Sequence, residues 1–155
     1  MEEDILGKLK KFRGQSEHGL DGKGRLNIPA RFRDVLEQTY VDDRVVITPP
    51  WEKCLRIYPL QEWVKLESQL KLSATQNPQA RLAMRYLVGG AIETKIDKNG
   101  RILFPAGLRG KASLVKEVTL AGFVEYFEVW DQVIFNDEND VTPDDFEVLA
   151  DLGFI

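Results

Sequence analysis

Along most of this chain, short alternating apolar runs are separated by glycine, proline and acidic turns, the pattern of a mainly β protein with short helices. It is clearest in Leu20-Asp21-Gly22-Lys23-Gly24-Arg25-Leu26-Asn27-Ile28-Pro29-Ala30-Arg31-Phe32-Arg33. Residues 15–20 read as the first strand of a hairpin, and Leu26-Asn27-Ile28 as the second. Gly24 supplies the positive φ a tight turn needs, with Gly22 as its partner. Pro29 suits the first position of a helix, where its missing N–H would be unpaired anyway. Phe32, Val35 and Leu36 then recur at helical spacing.

The same pattern returns in Ile96-Asp97-Lys98-Asn99-Gly100-Arg101-Ile102-Leu103-Phe104-Pro105-Ala106-Gly107-Leu108-Arg109, with six of fourteen positions identical. Gly100 and Asn99 take the turn positions and Pro105 the helix start, while Gly107 and Gly110 weaken the second helix. The repetition extends further. Arg44-Val45-Val46-Ile47-Thr48, the breaker Pro49-Pro50 and Cys54-Leu55-Arg56-Ile57-Tyr58 are answered by Val118-Thr119-Leu120, a break at Ala121-Gly122 and Phe127-Glu128-Val129-Trp130. Trp51 corresponds to Phe123, Leu55 to Phe127, Ile57 to Val129 and Tyr58 to Trp130. One supersecondary unit is used twice.

The units are residues 12–59 and 89–135, joined by a helical connector over 60–88 and followed by an acidic tail over 136–155. In the connector a helix over 60–72 places Leu60, Trp63, Val64, Leu66 and Leu70 on one broad apolar face. A loop over 73–77 precedes a second helix opened by Pro78 and ended by Gly89-Gly90. Its apolar side, Leu82, Ala83, Tyr86 and Leu87, is expected to pack in the core, with contacts between copies a secondary use. Residues 1–11 read as a mobile arm. In the tail, a loop over 136–140 leads to Thr142-Pro143-Asp144-Asp145, a capped helix start. Phe146, Leu149 and Ala150 form that helix's apolar side; alone it is too short to be stable, so it docks or stays disordered.

Net charge is −4 over 155 residues, which weighs against nucleic acid until its distribution is seen. Residues 8–33 hold Lys8, Lys10, Lys11, Arg13, Lys23, Arg25, Arg31 and Arg33 against only Glu17 and Asp21. Residues 131–155 hold eight acids and no Lys or Arg. Such asymmetry points to one basic contact face. No run approaches the ~20 apolar residues of a membrane span. The lone Cys54 has no disulfide partner in the chain, which fits a reducing cytoplasm.

Within each turn the Asp-x-x-x-Arg pair, Asp21 with Arg25 and Asp97 with Arg101, has a structural use: the carboxylate bonds turn amides or pins the guanidinium. Asp21, Gly24, Asp97 and Gly100 are read as structural on that ground. The cations have a second use, presenting positive charge to a phosphate or a guanine edge. Arg25 leads, supported by Lys23, Arg13, Arg31 and Arg33; Arg101 and Lys98 follow, since the second copy lacks the surrounding cations. An enzyme is not expected. Cys54 and His18 are the only thiol and imidazole, and no phosphate-binding loop, nucleophile elbow or metal-ligand spacing is present. No cofactor, metal or small-molecule substrate is expected either.

The two motif copies, with Phe12-Arg13-Gly14 ahead, Leu60-Gln61-Glu62-Trp63 after the first unit, Lys116-Glu117-Val118, and Glu128-Val129-Trp130-Asp131 at the end of the second, resemble the MraZ family of bacterial transcriptional regulators. The resemblance covers roughly residues 12–135. It implies an AbrB-like fold of swapped-hairpin, double-split β-barrel type, its two halves pseudo-symmetric in one chain. It also implies ring-like homo-oligomers and binding to double-stranded promoter DNA at the division and cell-wall gene cluster, usually as a repressor, in the cytoplasm at the nucleoid. The family's Asp-x-x-x-Arg motif falls on Asp21 and Arg25, and on Asp97 and Arg101. The segment before Phe12 is longer than the family pattern, and the tail after Asp131 matches nothing specific in it. The rival reading is a ring-forming, antitoxin-like or scaffolding module that does not touch DNA.

Overall fold

A computed structural model describes residues 9–155; of the expected arm, residues 1–8 lie outside the described residues. The first repeat supplies β1 (Gln15–Gly19), β2 (Arg25–Asn27), β3 (Arg44–Ile47) and β4 (Leu55–Pro59). The second supplies β5 (Ile92–Lys95), β6 (Arg101–Leu103), β7 (Glu117–Gly122) and β8 (Phe127–Asp131). Their partners cross between repeats. β1 pairs with β7, and in the equivalent pairing β5 pairs with β3. β2 pairs with β6, and β4 with β8. The result is a six-stranded antiparallel sheet, β1-β7-β8-β4-β3-β5, closed by a two-stranded ribbon, β2-β6. This is the double-repeat, swapped-hairpin fold.

The expected pairing of residues 15–20 with 26–28 is therefore corrected. The Asp21 N–H donates to the Arg25 carbonyl and the Gly24 N–H to the Asp21 carbonyl, each at 3.0 Å, and these bonds close only the turn. On either side the backbone is satisfied by the other repeat. Leu20 N–H reaches the Lys116 carbonyl at 2.9 Å, and Ile96 N–H answers with Asp43 at 3.1 Å. Ile28 N–H reaches Gly100 and Phe104 N–H reaches Gly24, both at 2.9 Å. Neither repeat completes its hydrogen bonding alone, so the two fold as one body.

Leu26 and Ile102, opposite each other in the ribbon, point into the core and are fully buried. Phe12, Phe32 and Phe127 meet at the centre, with ring centroids 4.9 to 5.4 Å apart. The apolar run of β3 lacks alternation for a physical reason. Val45 and Ile47 face the main core, while Val46 joins Tyr58 and Trp63 in a second cluster under the connector helices. The aligned pairs Leu55/Phe127, Ile57/Val129 and Tyr58/Trp130 are all buried, whereas Trp51 and Phe123 are both exposed.

Among the described residues the helices are α1 (Ala30–Asp34), α2 (Leu60–Ala74), α3 (Pro78–Gly90), α4 (Ala106–Lys111), α5 (Gln132–Glu138) and α6 (Pro143–Asp151). Pro29 and Pro105 lie one position earlier than expected, as extended N-cap residues, each with ψ near 147°. α1 widens into a π-helical stretch, Val35–Tyr40, ended by Val41 in the left-handed region at φ 54°. α4 forms despite Gly107 and Gly110, because Leu108 is buried in the core. β7 runs through the expected break at Ala121-Gly122; Gly122 lies where a Cβ would come within 2.5 Å of the Phe12 backbone. α2 extends to Ala74 and α5 to Glu138, where loops were expected. Both glycines 89 and 90 lie within α3, and the chain becomes extended only at Ala91. The connector is corrected only in part. Trp63 is buried, and Leu60, Leu66, Leu87 and Val88 pack half-buried against its cluster, but Val64, Leu82 and Tyr86 are exposed and no residue of α3 is fully buried.

Candidate nucleic-acid interface

Because side chains alternate along a strand, burying Leu26 and Ile102 turns their neighbours outward. The outer face of the ribbon carries Arg25 opposite Leu103, and Asn27 opposite Arg101. Asn27 and Leu103 are exposed, and the two arginines are half-buried. Arg25 and Arg101 sit diagonally across the pair, at a spacing of about 7–8 Å between Cα atoms. Each lies next to a turn whose tip is an exposed lysine, Lys23 or Lys98.

The aspartates hold these turns. Asp21 Oδ1 accepts from the Lys23 and Arg25 amides at 2.9 Å each, and Oδ2 takes Arg25 Nε at 2.6 Å. Asp97 repeats the arrangement with the Asn99 amide at 2.8 Å, the Arg101 amide at 2.9 Å and Arg101 Nε at 3.3 Å. The Arg25 amide chiefly, with its guanidinium and the Lys23 amide, lowers the Asp21 carboxyl from 3.8 to about 2. The Arg101 and Asn99 amides lower Asp97 in the same direction. Each carboxylate fixes the Nε edge of its arginine, leaving the other guanidinium nitrogens to point elsewhere. Gly24 and Gly100 adopt φ 85° and 78°, conformations a side chain would strain.

The remaining cations are distributed across the repeats. Arg33 Nε donates to the Ile28 carbonyl at 3.1 Å, and its equivalent Arg109 Nε donates to Phe104 at 2.9 Å. Those bonds lay Arg33 over Gly100, and Arg109 over Gly24. Arg33, grouped by sequence with Arg25, thus joins Lys98 and Arg101, and the second turn is not short of cations. Arg109 joins Lys23 and Arg25; sequence reasoning missed it as a contact residue, although it is one of the identical positions of the repeat. Arg31 is exposed, lying against Gly14 with its guanidinium 5.2 Å from the Phe32 ring centroid. Arg13 is exposed nearby and donates to the Leu9 carbonyl at 3.3 Å. Beside the second turn a cleft of about 610 Å³ is lined by Arg33, Lys95 and Lys98, but also by Glu37, Asp42 and Asp43.

The groups considered for catalysis are engaged elsewhere. His18 Nε2 is 2.7 Å from the Ser16 hydroxyl on β1. Cys54 is buried, with Sγ donating to a Glu128 carboxylate oxygen at 3.6 Å; burial first, then that charge, raises the thiol well above its ordinary range. Among the described residues no three His, Cys, Asp or Glu side chains converge as a metal site, and no helix is long and apolar enough to cross a membrane.

A family model, "MraZ protein, putative antitoxin-like", matches residues 11–85 and 87–141, one copy on each repeat. The chain is 41% identical to the transcriptional regulator MraZ of Syntrophobacter fumaroxidans, over 90% of this chain and 92% of that protein. It is 40% identical to that of Desulfitobacterium hafniense strain Y51, over 92% and 99%. To that of a Marinomonas species it is 47% identical, over 78% and 80%. With the crossed pairing and both Asp-x-x-x-Arg turns in place, the chain belongs to the MraZ family.

Proposed function

We propose that this protein is a transcriptional regulator that binds double-stranded promoter DNA in a sequence-specific way through the β2–β6 ribbon. The observation that carries this reading is the ribbon's outer face, where Arg25 and Arg101 are latched by their aspartates beside the exposed Lys23 and Lys98. A major groove admits a two-stranded β-ribbon, and arginine is the usual partner of guanine O6 and N7. Arg33 and Arg109 then shape the turns, and Arg13 and Arg31 offer phosphate contacts beside them. The printed names of the relatives support regulation of transcription. Repression of the division and cell-wall gene cluster, action at the nucleoid, and ring-like assembly on repeated operator elements follow from the family resemblance. Linked ribbons gain ~10²–10⁴ in avidity over one, which offsets the net negative charge of the chain. The protein acts by binding, without catalysis, cofactor or metal.

The test is titration of a labelled duplex from upstream of the protein's own gene, across a salt series, with Arg25→Ala beside the wild type. The reading expects a steep salt dependence in the wild type and a loss in the variant. The net charge of −4 favours the second reading, a ring-forming interaction module that leaves DNA alone. That reading expects no binding to any duplex, and partner binding unaffected by changes at Lys23 and Arg25.

A further inference from the structure

Each strand of the ribbon is three residues long and turns its middle residue inward, so four side chains make the outer face. The first repeat gives Arg25 and Asn27, the second Arg101 and Leu103. The arginines occupy equivalent positions in the two repeats, and so do Asn27 and Leu103. Those last two meet the same surroundings: each is exposed, and each lies directly opposite the other repeat's arginine. The fold therefore makes the same demand on both positions, and packing does not explain why one holds an amide and the other a branched apolar chain.

Neither residue is placed there for the fold. Asparagine is a poor strand former, and among the described residues no hydrogen bond or ion pair engages the Asn27 amide. Leu103 is 52% exposed while its neighbour Ile102 is fully buried, so its side chain adds nothing to the core. Residues two apart on a strand are separated by about 7 Å, which matches roughly two base-pair steps along a duplex. The whole face thus spans a short stretch of groove.

We infer that Asn27 and Leu103 are base-reading residues, and that the site they read holds A·T pairs beside the guanines met by the arginines. The Asn27 amide donates to adenine N7 and accepts from the adenine N6 amino group, and Leu103 lies against a thymine methyl group. These features stand in the major groove and are absent from the minor groove. The inference rests on the DNA reading proposed above and names what that face recognises besides guanine. The two repeats share one arginine contact and differ in the second contact they make.

Three forms of the duplex from upstream of the protein's own gene test it: the natural one, one with deoxyuridine for every thymidine, which removes only the methyl groups, and one with 7-deazaadenine for every adenine, which puts a C–H in place of N7. Each is titrated with wild type, Asn27→Ala, Leu103→Ala and Arg25→Ala, with circular dichroism to check folding. The wild type should bind the deoxyuridine duplex about fourfold more weakly, the worth of one buried methyl group, and Leu103→Ala should bind it as well as the natural one. The wild type should bind the 7-deazaadenine duplex about tenfold more weakly, and Asn27→Ala should not distinguish the two. If each variant loses as much as the wild type on the altered duplexes, the losses arise in the DNA and the inference is overturned. If Arg25→Ala weakens binding while Asn27→Ala, Leu103→Ala and both altered duplexes do not, the ribbon reads DNA through its arginines alone and this inference fails by itself. A wild type that binds no duplex overturns the DNA reading and this inference together.

Discussion

Arg109 lies across Gly24, and the space it occupies exists only because Gly24 has no side chain. A Cβ there would come within 2.6 Å of Arg109 Nε and 2.9 Å of the Phe104 carbonyl. The same relation joins Arg33 to Gly100, but more loosely: the three atoms nearest a Cβ there all belong to the Arg33 side chain, the first at 3.1 Å. Each repeat's helix arginine therefore packs on the other repeat's turn. The two turns should differ in tolerance. Gly24→Ala combines a left-handed φ with a backbone clash and should cost about 1–3 kcal/mol; Gly100→Ala, strained but relieved by a side-chain shift, should fall at the low end of that range. Urea unfolding of both variants beside the wild type measures the order.

The Asp21 latch fixes a pH window. Its folded carboxyl is depressed to about 2 against an ordinary 3.8. A depressed pKa contributes stability above the unfolded value, and that contribution is lost as pH falls from about 3.8 through about 2. The turn should thus stay latched at every pH down to about 4, and carboxyl carbon shifts followed by NMR should show Asp21 titrating well below the ordinary aspartate range. Asp21→Asn should leave the fold intact and weaken DNA binding less than Arg25→Ala, because the guanidinium remains but loses its anchor.

The Phe12–Phe32–Phe127 contact joins the segment before β1, α1 and β8, which come from both repeats. Phe32→Ala should therefore destabilise the whole body by about 3–5 kcal/mol, in a single cooperative transition and not as one half melting early. Calorimetry distinguishes the two.

Cys54 offers a check on burial. With its thiol buried just before β4, and raised first by that burial and then by the Glu128 charge, it should resist iodoacetamide at neutral pH in the native protein and react fully in denaturant. Labelling followed by mass spectrometry reads this directly.

The two-unit organisation was legible because identical residues recur in register, and because the inward positions Leu55/Phe127 and Ile57/Val129 keep the same period. Strand partnership was not legible from the pattern alone. A turn with glycine between two short strands looks the same whether those strands pair with each other or with another copy, since the local hydrogen bonds of Asp21 and Gly24 are identical in both cases. The crossing of Arg33 and Arg109 followed from the same ambiguity, as sequence proximity put Arg33 with the wrong turn. Helix periodicity correctly found α3, but periodicity does not say whether an apolar side is covered, and Leu82 and Tyr86 are not.

The central claim is that the ribbon reads DNA through two arginines related by the pseudo-symmetry. It is tested most directly by titrating the upstream duplex and an unrelated duplex with wild type, Arg25→Ala, Arg101→Ala and the double variant, in a salt series, after confirming equal assembly. The account predicts that each single variant weakens binding to the upstream duplex by roughly 1–3 kcal/mol and narrows its preference over the unrelated one, with the double variant losing that preference. Unchanged affinity and preference in the double variant would contradict it and leave the Asp-x-x-x-Arg turns a purely structural device.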